Sequence, residues 1–132
     1  MVDKIKYIEI AGQRYPILMS AYVYEAIEDK FGSVKEWYEL VSTQQKIKPI
    51  LDVVFLMITS AYAHARTTGI AFPIKVAEKA PEREDMSFAI GSPEELAKIL
   101  NAVADAANAG SQKEINAVPA STPGRKKKKK NR

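Results

Sequence analysis

The segment that most constrains this chain is the apolar run at 53–63, interrupted only by Thr59 and Ser60 and bounded by Asp52 and His64. A membrane-spanning helix needs about 20 predominantly apolar residues, so a run this short reads as a buried or partner-facing helix. Pro49 suits a first-turn position, where its missing amide hydrogen costs nothing. A helix from Ile50 to about Thr68 then ends at Gly69. On a helical wheel Asp52, Thr59, Ser60, His64 and Arg66 share one side, yet Val53, Leu56 and Ala63 interrupt it. The apolar surface nearly encircles the helix, and such a surface must be covered by other helices or by another protein.

The flanking segments supply candidate covers. Residues 4–10 place β-branched and aromatic side chains among Lys4, Lys6 and Glu9; Ala11 and Gly12 offer a turn, and 13–17 resume an extended pattern. This predicts an N-terminal β-hairpin. Pro16 cannot donate to a ladder, which makes the second strand an edge or ends it there. Ser20 is a candidate N-cap for a helix through Lys30, with Val23, Ile27 and Phe31 on one face and Gly32 at the C-terminal cap. The spacing of Ser33 and Glu36 is that of a capping box, and Val34, Trp37, Tyr38 and Val41 follow at helical spacing.

Beyond Gly69, residues 70–91 read as a long connection carrying Pro73, Pro81 and the charged cluster Glu82, Arg83, Glu84, Asp85. Connections of this length are functional or mobile. Ser92, Pro93 and Glu95 then announce a last helix by cap, first-turn proline and capping-box acid. Leu96, Ile99, Leu100, Val103 and Ala107 form its apolar face, and Gly110 is its expected end. The predicted fold class is therefore mostly α (α+β): an N-terminal β-hairpin, about four helices in a single domain over 1–110, and a disordered basic tail over 111–132.

Charge sharpens that division. Residues 111–132 hold eight basic residues against one acid, Glu114, a net of +7, whereas 1–110 hold 12 basic and 15 acidic residues, a net of −3. The overall charge of +4 thus belongs to the tail, and the body gives no electrostatic footprint for nucleic acid. Nor does the tail interleave aromatic residues for stacking on bases. The absence of cysteine removes disulfides and thiolate metal sites and fits a reducing cytosol. The N-terminus lacks the pattern of a signal peptide, and no membrane segment is expected.

Chemistry-bearing motifs are scarce. His64 is the only histidine, without a second histidine or any cysteine at ligand spacing, so a satisfied or solvent-facing helix histidine is the better reading. There is no phosphate-cradling glycine loop, nucleophile elbow or paired-acid motif. Glu82, Glu84 and Asp85 read as a solvated turn. No catalytic residue, cofactor or metal site is expected. Tyr22, Tyr24, Trp37 and Tyr38 are of the type that anchors partners, although core packing is the simpler reading of Trp37.

The order of hairpin, short helix, Gly-Ser corner, second helix, long apolar helix, acidic loop and capped last helix resembles the tail assembly chaperones of long-tailed bacteriophages and prophages of Gram-positive hosts. The residues carrying the resemblance are Ile27, Glu28, Asp29, Lys30, Phe31, Gly32 and Ser33, supported by 6–16 and by Ser92, Pro93, Glu94, Glu95 and Leu96. The likeness spans roughly residues 4–110. It implies a non-enzymatic protein of the host cytoplasm, absent from the mature virion. It further implies binding to the tape measure protein, assistance to tail tube protein assembly, and self-association. Val53, Leu56 and Met57, with Trp37 and Tyr38, are the residues put forward for those contacts. The resemblance also implies a short and a frameshifted long product; the A-rich codons that five lysines at 126–130 require would underlie the slip, making this chain the short product. The alternative is a small nucleic-acid-binding module acting through the Lys-rich tail.

Overall fold

The computed structural model of the chain describes residues 4–117, with side chains through 108. Two strands, β1 (Lys6–Ile10) and β2 (Gln13–Ile17), are followed by five helices: α1 (Ala21–Phe31), α2 (Val34–Ser42), α3 (Lys48–Thr68), α4 (Arg83–Ala89) and α5 (Pro93–Ala117). The strands pair antiparallel, with Ile10 opposite Gln13 and Lys6 opposite Ile17. Ala11 and Gly12 both have positive φ, 54° and 80°, as the I′ class of two-residue hairpin turn requires. Pro16 pairs with Tyr7 and is fully buried. In a two-stranded sheet each strand has a free edge, so its missing donor is tolerated.

The apolar helix sits at the centre, as its sequence demanded. β2 and α1 pack on α3, α2 and α4 touch it, and α5 lies on β1. Ile50, Leu51, Val53, Val54, Met57, Ile58 and Ala61 of α3 are all buried. They meet Ile8, Ile10 and Ile17 of the hairpin, Val23 and Ile27 of α1, and Ile99 and Val103 of α5 in one core. The Leu18 amide donates to the Met57 carbonyl over 3.1 Å, joining the end of the hairpin to the middle of α3. The cover for the encircling apolar surface is thus largely the chain itself.

Helix ends follow their local chemistry, with instructive departures. Ser33 Oγ accepts from the Glu36 amide at 3.0 Å, the forward half of the expected box. Ser20 stands at the N-cap of α1 without capping it; its hydroxyl instead bonds Ser60 Oγ at 2.5 Å. Ser60 is a buried polar residue on α3, and such a group needs a partner more than a helix end facing water does. Gly69 closes α3 in the left-handed conformation at φ 75°.

Two expectations are corrected. The connection 70–91 contains a fifth helix, α4, whose first turn carries Glu84 and Asp85 where the helix dipole favours acids; the charged cluster is a helix start as well as a surface. The preceding 70–82 stretch is also tied down. The Ala77 amide donates to the Arg14 carbonyl at 2.9 Å, Tyr62 Oη donates to the Ala77 carbonyl at 2.6 Å, and the Phe72 ring meets Tyr62 edge-on at 5.6 Å. Second, Gly110 does not end α5, which runs to Ala117: a glycine inside a helix costs about 1 kcal/mol relative to alanine but stops it only with a suitable cap. The disordered tail expected over 111–132 therefore meets helix as far as Ala117. Residues 118–132, with the lysines at 126–130, lie outside the described residues.

Candidate binding surface

Of the five residues put forward for partner contacts, three are committed elsewhere. Val53 and Met57 are fully buried in the core. Trp37 is also buried, and its indole Nε1 donates to the Pro49 carbonyl at 2.9 Å. That bond fixes the start of α3 against α2, because a buried indole N–H needs an acceptor. Leu56 is partly buried against the same core. Tyr38 alone of the five is open to solvent, at 59% exposure. The structure does not gather these five into a surface: at helical spacing the sequence cannot tell which side of α3 the rest of the chain covers.

Exposed large apolar side chains remain at Tyr22, Tyr38, Ile47, Ile70, Ile74 and Phe88, and one apolar groove lies where the beginning of α3 meets the α4–α5 corner. Ile47, Leu51, Ser87, Ile90, Gly91, Ser92, Pro93 and Leu96 line a shallow groove of about 420 Å³. Ile47 is 56% exposed on one wall. Phe88, 81% exposed, follows the groove residue Ser87 on α4. On the same helix Met86 is fully buried, and the two-residue step between them turns about 200° around a helix. Burial of Met86 therefore aims Phe88 away from the body. Large apolar side chains so exposed on a small body are unusual and mark interaction surfaces when they cluster.

The corner is built to hold its shape. Ser92 Oγ accepts from the Glu95 amide at 3.2 Å and donates to Glu95 Oε1 at 3.3 Å. The same carboxylate oxygen accepts from the Gly91 amide at 3.1 Å. The capping box read from the sequence thus closes one residue earlier than its simplest form, and it orients α5 to place Leu96 in the groove.

A feature that sequence spacing did not expose holds α4 in place. Asp52 Oδ1 accepts from Arg83 Nε at 2.8 Å, and its Oδ2 lies 3.1 Å from Lys30 Nζ. Arg83 also donates to Ser87 Oγ at 2.9 Å. One carboxylate of α3 therefore binds a cation from α1 and another from α4. Burial alone would push the Asp52 carboxyl up; the hydrogen bonds from Arg83 and Lys30, with the charges of both, outweigh it and hold the group below the ordinary carboxylate range. Further along α3, burial and the neighbouring Tyr15 push the Tyr62 phenol up.

Among the described residues no three His, Cys, Asp or Glu side chains stand where they could hold a metal ion. No described helix is long and apolar enough to cross a membrane. His64 is exposed. In comparisons with family models, curated proteins and solved structures, the chain matches none.

Proposed function

We propose that this protein is a phage tail assembly chaperone that binds the helical tape measure protein through the groove at the α3 start and the α4–α5 corner. The observation carrying the reading is the apolar-lined groove there, with Ile47 exposed on one wall and exposed Phe88 on α4. An amphipathic helix laid in such a groove presents apolar residues at three- and four-residue spacing. Burying a side chain such as Phe88 contributes about 1.5–3 kcal/mol, enough for a handful of contacts to hold a tape measure helix reversibly, as assembly demands. The linear order of elements resembling that family supports the same role.

Co-expression with the tape measure protein of the same genome tests it. The tape measure protein is expected to be soluble and co-purify with the wild-type chain, and to be lost from the soluble fraction with Phe88→Ser. A tape measure protein that stays insoluble beside a well-folded wild-type chain contradicts the proposal. A second reading, nucleic-acid binding through the tail, rests on the net +7 of residues 111–132. It predicts binding that falls steeply with salt and vanishes when residues 125–132 are deleted.

A further inference from the structure

We infer that the segment this face receives is an amphipathic helix carrying a carboxylate beside its apolar stripe, a selectivity that rests on the reading of the groove as a partner-binding face. A second hollow, about 610 Å³, shares Ile47, Leu51 and Ser87 with the groove and continues it past Lys48, Asp52 and Arg83. The two form one trough, with an apolar half toward Ile90 and Leu96 and a charged half at the other end. The charged half holds two cations against one carboxylate, and that carboxylate is also bound by Lys30.

Both cations are prepared for an acid from outside. Lys48 is exposed and has no ion pair among the described residues. Arg83 is held still: its Nε donates to Asp52 and its Nη1 to Ser87. Nη2 is then a donor with no acceptor among the described residues. A guanidinium fixed in this way, with N–H groups to spare, loses little freedom on binding a further carboxylate. A wholly apolar helix would leave these donors unmatched, and a free anion or a nucleic acid would leave Ile90 and Leu96 uncovered. An apolar stripe with an acid beside it serves both halves. Arg83 begins α4 and Ile90 follows its last residue, a separation of about two helical turns. The acid therefore belongs within about two turns of the apolar side chains.

Overlapping labelled peptides spanning the tape measure protein of the same genome, titrated with the full chain and followed by fluorescence anisotropy, test it. The peptides that bind are expected to carry apolar residues at three- and four-residue spacing, with Asp or Glu within about two turns. Replacing that acid by its amide in the tightest binder should weaken binding roughly fivefold, the upper end for a partly exposed ion pair. Lys48→Glu in the chain should weaken it at least as much. Glutamate is favoured in the first turn of a helix, so that variant keeps its fold. A lysine in place of the peptide's acid should restore binding to the Lys48→Glu chain, a rescue that damage to folding cannot produce. Binders without an acid, an amide peptide that binds as well as its parent, or a failed rescue overturns the inference and leaves the proposed function standing. If no peptide binds, co-expression separates the two: a soluble tape measure protein overturns this inference alone, and an insoluble one overturns both. A chain that excludes every peptide by pairing with itself, seen by sedimentation, gives the face to a second copy and also overturns it.

Discussion

Replacing Asp52 by alanine tests the electrostatic hub most sharply, because one carboxylate ties three helices. Its bond to Arg83 is short, 2.8 Å, between side chains only 11% and 27% exposed. A hydrogen bond to a charged group in such a setting contributes about 1.5–3 kcal/mol. Lys30 is 51% exposed, so solvent screens its share to about 0.2–1 kcal/mol. The substitution should therefore cost about 2 kcal/mol, mostly through Arg83, and should loosen α4. Urea denaturation followed by circular dichroism measures the total, and a double-mutant cycle with Arg83→Met isolates the pair. The pH dependence has a definite sign. The folded carboxyl titrates below its ordinary value of 3.8, so its contribution is fully present above that value and is lost as pH falls through the depressed one. Asp52→Ala should flatten that acid limb. A loss below about 0.5 kcal/mol, the range of ordinary surface substitutions, or a cycle showing no coupling to Arg83, refutes the reasoning.

Other substitutions separate core from surface. Met57→Ala empties a fully buried site and should cost about 2–5 kcal/mol, whereas Tyr38→Ala, at a side chain 59% exposed, should stay within about 0.5 kcal/mol; thermal melts distinguish them. Ala11→Asn places a residue tolerant of positive φ beside Gly12 and should stabilise the hairpin by about 1 kcal/mol, read from the denaturation midpoint. Trp37→Phe removes the donor to the Pro49 carbonyl and should cost about 1 kcal/mol, with faster amide exchange at the start of α3.

Local signals explain what could be read in the sequence. The Ala11-Gly12 turn between extended segments, Gly69 after an apolar helix, and the Ser33 and Ser92 caps each specify structure within a few residues, and each element appears where its signal stands. Helix α4 spans seven residues and buries only Met86, too short to display a helical period. The Asp52 hub joins residues 22 and 31 positions away, a relation no local pattern encodes. The residues proposed for partner contact suffered for the same reason. Val53 and Met57 are apolar at helical spacing whether they face the core or a partner, and only the tertiary fold decided for the core. Phe88 lay unremarked because a single aromatic in a charged connection has no periodicity to mark it. Ser20 shows the converse failure: a correct cap position whose hydroxyl was claimed by the buried Ser60.

The central claim is that the α3 start and the α4–α5 corner form the face that receives a tape measure helix. Hydrogen exchange of the chain, with and without a soluble tape measure fragment, tests it most directly. The free chain should be measured at a concentration where its association state is known. Amides in residues 47–51 and 87–96 are expected to gain protection on binding, while those of the β1–β2 hairpin stay unchanged. Protection confined to the hairpin or to α2, or none at all with a fragment that binds, would contradict the account.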